Sequence, residues 1–183
     1  MGKEKLVERL SWYYPLERFH TFVTVPFLIG FLIYYYGFEK TVLINSGLIL
    51  CSAILYQGQL YWGIKLRKIT GKEIDNDYYL KKFEKWTRTN PILLSSIVLT
   101  LPVHLILNEF KTDSFLFWGL FAHFFYVLEY VNYYQKQLMY DNINDFKYLL
   151  INRKLKESSL LKDMQKKHFR RLKQRVLNGR EIY

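Results

Sequence analysis

Four long stretches of this sequence are apolar and almost free of charged residues, and this pattern constrains the fold more than any other feature. The residues between their flanking charges number 20, 24, 20 and 22, and Glu129, in the last stretch, is the one charged residue among them. A helix needs about 20 residues to cross a hydrocarbon core of about 30 Å. None of the stretches shows the polar and apolar alternation of barrel strands. The sequence therefore predicts an all-α integral membrane protein with four transmembrane helices, in the apolar runs 20–36, 43–64, 92–107 and 114–134.

The same pattern predicts three regions along the chain. Residues 1–19 form an interfacial segment, in which we expect Pro15 to end a short approach helix. Residues 20–136 form the transmembrane domain, and residues 137–183 form a basic helical tail. The two loops at the outer ends are short, which predicts two antiparallel helical hairpins. The predicted spans are about 20–37, 42–64, 91–108 and 114–135.

The distribution of positive charge predicts the orientation. Of the 27 lysines and arginines, 25 fall in the N-terminal segment, the middle loop and the tail, and the other two loops have one each. Positively charged segments stay on the cytoplasmic side. We therefore expect both termini to be cytoplasmic, and the charged start of the chain without a cleavable signal favours the cytoplasmic (inner) membrane.

The tail is predicted to form two helices. Asp141 and Asn142 can cap the first, which runs to about Asn152, and Ser158 or Ser159 can cap a second from about 160 to 177. The second helix has an apolar stripe through Leu161, Met164 or Gln165, His168, Leu172 and Val176. Its basic residues predict binding to anionic lipid headgroups at the cytoplasmic face, in preference to nucleic acid. They are Lys162, Lys166, Lys167, Arg170, Arg171, Lys173 and Arg175.

Glu129 is the one ionisable carboxylate inside a span, and such residues often mark a functional site. Asn132 and Gln135 share a third of the helix circumference with it. Together with Gln59 of the second span, they predict a polar pocket open to the cytoplasm. The alternative is that Glu129 is protonated or hydrogen-bonded and serves packing only.

Small and polar residues also form lines along the second and third spans. In lipid such residues usually lie where helices contact one another. We expect a helix-packing role for them more than a transport path. The residues are Asn45, Ser52, Ser96, Thr100, His104 and Asn108.

The sequence gives little support for cofactor or catalytic chemistry. His104 and His123 differ in predicted depth, and no paired metal motif is present, so no metal or cofactor is expected, and a haem or metal protein is a third, less favoured alternative. The single cysteine, Cys51, is expected to be a small packing residue. No hydrolase or nucleotide-binding motif occurs, and no catalytic residue is identified. The leading hypothesis is a non-enzymatic, lipid-interacting or assembly-supporting membrane protein. The alternative is a small transporter or membrane-embedded enzyme that uses the Glu129 pocket, and a homo-oligomer is also open.

Overall fold

The computed structural model describes residues 3–139 and 143–177, except for the side chains of residues 3, 5, 143–145 and 169–177. The expected cap residues Asp141 and Asn142 lie outside the described residues. Regular structure in the described part is helical apart from one isolated bridge. The helices are α1 (Lys3–Phe19), α2 (Val25–Tyr36), α3 (Phe38–Ile69), α4 (Asn76–Leu94), α5 (Ile97–Leu107), α6 (Ser114–Tyr134), α7 (Ile143–Asn152) and α8 (Ser159–Leu177).

Four helical segments are long and apolar enough to cross a membrane, which confirms the predicted class of multi-pass integral membrane protein. Three of them are longer than the apolar runs in the sequence, because the helices continue into the flanking charged residues. The segments are Leu6–Tyr36, Phe38–Ile69, Asn76–Leu107 and Ser114–Tyr134.

The expectation that Pro15 ends the approach helix is wrong, because Pro15 lies inside α1. Proline removes the hydrogen bond to the carbonyl four residues earlier, which here belongs to Ser11. Both Pro15 and Ser11 are exposed, so that carbonyl is open to the surroundings and α1 continues to Phe19.

A π-helical turn, His20–Thr24, joins α1 to α2. In this turn the Val25 backbone N–H bonds to the His20 carbonyl, five residues back. The Thr21 carbonyl thereby loses its usual partner, Val25, and the next residue, Pro26, has no N–H to offer. The Ser52 hydroxyl of α3 donates to this carbonyl at 3.1 Å.

The segment made of α4 and α5 is also irregular. Ser95 and Ser96 form a turn between the two helices, four residues after Pro91. The Ser95 backbone N–H bonds to the carbonyls of both Pro91 and Ile92 at 3.1 Å. The backbone N–H and the hydroxyl of Ser95 are therefore both bonded to carbonyls of the preceding helix.

The chain divides into two compact units. The first comprises Met1–Ile74 and Arg88–Tyr130, and the second comprises Asp75–Thr87 and Val131–Tyr183.

In the first unit α3 is the central helix, in contact with α1, the π-helical turn, α2 and α5. It also approaches α6 closely: a Cβ added at Gly47 would lie 2.7 Å from the Ala122 Cβ, and one added at Gly119 would lie 2.6 Å from the Leu43 Cγ. Small residues permit such close helix crossings in membrane proteins. Large apolar side chains are exposed on the other helices, as expected for surfaces in lipid; examples are Phe27, Val98, Leu99, Phe117 and Phe124.

In the second unit the start of α4 packs with the residues that follow α6. Backbone bonds join two segments of chain: the Gln137 N–H donates to the Lys156 carbonyl at 2.7 Å, and the Ser158 N–H donates to the Gln135 carbonyl at 3.1 Å. The Ser158 hydroxyl accepts the Leu161 N–H at 3.1 Å. The second tail helix therefore starts where the sequence predicts, with Ser158 as its cap.

Candidate functional site

A pair of side-chain amides that the sequence did not predict forms a buried polar contact in the first unit. Gln57 of α3 and Asn90 of α4 bond to each other twice, each Nε2 or Nδ2 donating to the other amide oxygen at 2.9 Å. Both are buried, and the Tyr126 hydroxyl of α6 donates to the Asn90 carbonyl at 3.0 Å. The cluster ties three helices together. Because its amide groups are paired, the contacts favour packing over ligand binding.

The predicted pocket residues have different surroundings. Gln59 is buried, and Glu129 is half-buried and near enough to the Cys51 thiol to interact with it electrostatically. The Asn132 Oδ1 accepts the backbone N–H groups of Leu138 and Met139, at 2.9 and 3.4 Å.

The fourth predicted pocket residue, Gln135, is exposed, and its backbone carbonyl accepts the hydrogen bond from the Ser158 N–H described above. Asn132 and Gln135 therefore hold the chain that follows α6. No sequence signal predicts this, because the bonding partners lie outside any regular element.

Two residues of the predicted packing stripe bond across helices. Ser52 donates to Thr21, as described, and the Nδ2 of Asn108, the residue that follows α5, donates to the Glu39 carbonyl of α3 at 3.1 Å. The others bond within their own helix or lie at its end. Asn45 donates to the Thr41 hydroxyl, Thr100 donates to the Ser96 carbonyl, Ser96 lies at the α4–α5 break, and His104 is fully buried.

His104 and His123 have separate partners. The His123 Nδ1–H donates to the Gly119 carbonyl at 2.8 Å, and its Nε2 lies 3.3 Å from the Ser46 hydroxyl. The His104 Nε2 lies 3.9 Å from an Asp113 oxygen. Among the residues that the structure describes, no group of three or more His, Cys, Asp or Glu is placed to hold a metal ion. Cys51 is buried, and its thiol donates to the Ala122 carbonyl at 3.3 Å.

The predicted lipid-binding set needs a correction at Lys167, which is only 4% exposed. Its ammonium lies 3.3 Å from a Glu84 carboxylate oxygen and 3.3 Å from the Asp77 carbonyl oxygen of α4. A lysine buried in this way serves packing within the protein and does not face a lipid headgroup. Lys162 is half-buried and Lys166 is exposed. The side chains of Arg170, Arg171, Lys173 and Arg175 lie outside the described residues.

The orientation of α8 also differs from the prediction. Leu160, Met164 and Lys167 form its buried face, whereas His168 is exposed and Leu161 is half-buried. Of the predicted stripe residues whose side chains are described, Met164 alone is buried, and the side chains of Leu172 and Val176 lie outside the described residues. The start of α8 packs within the protein, which the helical spacing alone did not reveal.

An exposed apolar face occurs instead on α7. Phe146, Leu150 and Ile151 are 55, 63 and 78% exposed, and Lys147 is exposed beside them. Phe146 and Leu150 are one turn apart and share one side of the helix, and Ile151 lies about 100° further round, so the exposed apolar side chains cover an arc of about 140° that includes Lys147.

A basic cleft of about 480 Å³ lies beside α7 in the second unit. Its lysines come from three places: Lys136 follows α6, Lys154 follows α7, and Lys162 lies in the first turn of α8. The lining residues are Lys136, Tyr148, Lys154, Leu155, Glu157 and Lys162.

The first unit has an apolar groove of about 630 Å³ between the α2 region and α3. Its walls include Phe22, Pro26, Ile49 and Tyr56, and Ser52 contributes a hydroxyl that is already bonded to Thr21. In hydrocarbon such a groove matches the apolar lipid around it and carries no polar recognition. The basic cleft is therefore the stronger candidate for specific binding.

Comparison with known protein families, curated proteins and solved structures finds no match to this chain.

Proposed function

We propose that this protein is a lipid-interacting membrane protein whose C-terminal basic segment docks on anionic phospholipid headgroups. The observation that carries the proposal is the exposed face of α7, where Phe146, Leu150 and Ile151 lie next to Lys147. A helix with apolar side chains on one face and basic ones nearby lies in the membrane interface, with its apolar face between headgroups and acyl chains. In this proposal α7 supplies the apolar contact.

Charge supplies the second part of the binding energy. Lys147, Arg153, Lys154 and Lys166 are all exposed in the second unit. Each basic residue close to an anionic leaflet contributes about 1 kcal/mol. Because 25 of the 27 lysines and arginines lie in segments that the topology assigns to one side, we assign the docking surface to the cytoplasmic leaflet.

The experiment places an environment-sensitive dye on α7. Ile151→Cys is labelled in a Cys51→Ala background, and the full-length protein is reconstituted in nanodiscs of phosphatidylcholine alone or with added phosphatidylglycerol. We expect brominated acyl chains to quench the dye about twofold more in the anionic discs, with a partial loss at high salt. Lys72→Cys is the matched control, since Lys72 is exposed in the turn between α3 and α4.

If the dye at residue 151 is quenched no more than the control dye at residue 72 in anionic discs, docking by α7 is refuted. Equal quenching in both kinds of disc would refute the requirement for anionic lipid.

A second candidate function, a small transporter or membrane-embedded enzyme, rests on Glu129. Its carboxylate is half-buried in an apolar helix, three residues after the buried Tyr126. This candidate predicts that Glu129→Gln abolishes ligand binding or transport while the protein keeps its thermal stability. A variant with unchanged activity and unchanged stability would leave this candidate function without support.

A further inference from the structure

We infer that the basic cleft is a defined binding site for the phosphate group of an anionic membrane lipid. The inference rests on the proposed function and deepens it, because it assigns the binding of anionic lipid to one site with specific phosphate-binding residues. Its three lysines, Lys136, Lys154 and Lys162, are the phosphate-binding groups.

The position of the lysines is set by the backbone. Lys136 and Glu157 face each other in an antiparallel bridge, and the bonds on either side of that bridge fix the two segments of chain together. The Ser158 cap then fixes the start of α8, which places Lys162 at the cleft. Lysines from three separate segments of the chain thus line one cavity. Polar groups that converge on one cavity are typical of binding sites.

The charge of the cleft suits a phosphate. Its three lysines face one acidic residue, Glu157, so the lining has a net charge of two positive. In the described part of the chain, the ammonium groups of Lys136, Lys154 and Lys162 form no ion pair or hydrogen bond, whereas Lys167 is paired with Glu84. Hydrogen bonds from charged donors to phosphate oxygens are about twice as strong as neutral ones. The cleft therefore offers donors that nothing described in the protein uses.

The remaining walls suit a phosphate that is attached to a lipid. Tyr148 presents a phenol to the cleft, and the Lys156 ammonium lies 5.3 Å from the centre of its ring, which adds a further positive charge nearby. Leu155 supplies an apolar wall. A cleft of about 480 Å³ is within the usual size of small-molecule sites and leaves room for more than the phosphate itself.

The chain positions also favour a lipid over a free anion. Lys136 is the second residue after the last apolar helix, α6, which ends at Tyr134. Tyr148 belongs to α7 and Lys154 follows it, and the apolar face of α7 is proposed to lie in the membrane interface. A phosphate at this cleft would lie at the depth of the headgroups.

The test is native mass spectrometry of the full-length protein in mild detergent, titrated with phosphatidylglycerol, phosphatidylcholine or inorganic phosphate. The cleft variant is Lys136→Gln/Lys154→Gln/Lys162→Gln. The matched control is Lys68→Gln/Lys72→Gln/Lys81→Gln, which removes the same charge from exposed lysines that neither line the cleft nor belong to the proposed docking surface. Thermal unfolding of each variant, followed by circular dichroism, establishes that it is folded.

We expect the cleft variant to bind phosphatidylglycerol about tenfold more weakly than the wild type and the control variant to change about threefold at most. Glu157→Gln, which removes the opposing charge, should bind more tightly. An equal loss in both triple variants would refute the site while leaving charge-dependent lipid docking intact.

Unchanged phosphatidylglycerol binding in both triple variants would refute the site and the charge-dependent docking together. Saturation by inorganic phosphate without competition from phosphatidylglycerol would refute the lipid as the source of the phosphate. A cleft variant that fails to fold would be replaced by Lys154→Gln alone, since Lys154 is exposed, with Lys81→Gln as its control.

Discussion

The Ser52 hydroxyl of α3 donates to the Thr21 carbonyl at 3.1 Å, across the crossing of two apolar helices. The contact has a definite origin. The π-helical turn takes the Val25 N–H away from Thr21, and Pro26 cannot replace it. One irregular turn and one proline thus create an unsatisfied carbonyl, and the serine of the neighbouring helix satisfies it. An unsatisfied carbonyl in this environment is costly, which explains why a polar residue is useful here.

Replacing Ser52 by alanine is therefore expected to destabilise the protein by about 1 kcal/mol. The cost should shrink in a Pro26→Ala background, because residue 26 then has an N–H that can reach the Thr21 carbonyl. Unfolding in mixed micelles would measure both steps of this double-mutant cycle. Ser95→Ala is the control, since Ser95 is exposed and its hydroxyl donates to the Ile92 carbonyl of the preceding helix, three residues back. An equal cost of Ser52→Ala in both backgrounds would contradict this account.

The amide pair of Gln57 and Asn90 should be strongly coupled. Either Gln57→Leu or Asn90→Leu leaves a buried amide without its partner and is expected to cost about 1–3 kcal/mol. The double variant should cost less than the sum of the two, since no amide is then left unpaired. Asn152→Leu, at an exposed position of α7, provides the baseline. Additive losses in the unfolding free energy would show that the pair is not a unit.

The crossing of α3 and α6 should not tolerate a methyl group. A Cβ at Gly47 would meet both the Ala122 Cβ and the His123 Nδ1, the latter at 2.9 Å. We expect Gly47→Ala to lower stability by about 1–3 kcal/mol through overpacking. Gly30→Ala is the matched substitution within α2, where nothing lies within 4 Å of the added atom. Thermal unfolding in detergent should show a loss for the first variant only, and similar melting temperatures would argue against the close approach.

Removing Glu84 and removing Lys167 from their ion pair should lower the stability of the protein by different amounts. Lys167 is 4% exposed and Glu84 is 40% exposed. Glu84→Gln leaves a buried ammonium without its counter-ion, whereas Lys167→Met leaves a carboxylate that solvent can reach. We therefore expect the first variant to be the less stable one. Hydrogen exchange over residues 159–168 would report the loosening of α8, and Lys166→Met, at an exposed position, should leave it unchanged.

The sequence predicted features that depend on local properties. The Ser158 cap and the end of α7 at Asn152 were predicted correctly, because a cap involves residues within one turn of each other. Pro15 was interpreted wrongly because its effect depends on whether the carbonyl of Ser11 is exposed. Lys167 was assigned to lipid for a similar reason, since its partners are far away in the chain: Asp77 lies 90 residues before it.

The sequence by itself determined that this is a helical membrane protein with four spans, because the length and apolarity that a bilayer requires are properties of each segment alone. Only the tertiary structure decided which polar groups meet. In the folded protein Gln57 bonds to Asn90, and Ser52 bonds to the Thr21 carbonyl that Pro26 leaves unsatisfied. Lys167 is buried beside Glu84, whereas the lysines of the basic cleft have no partners among the described residues. Helical periodicity places a side chain on a face of its own helix, but the packing of other helices decides whether that face is buried.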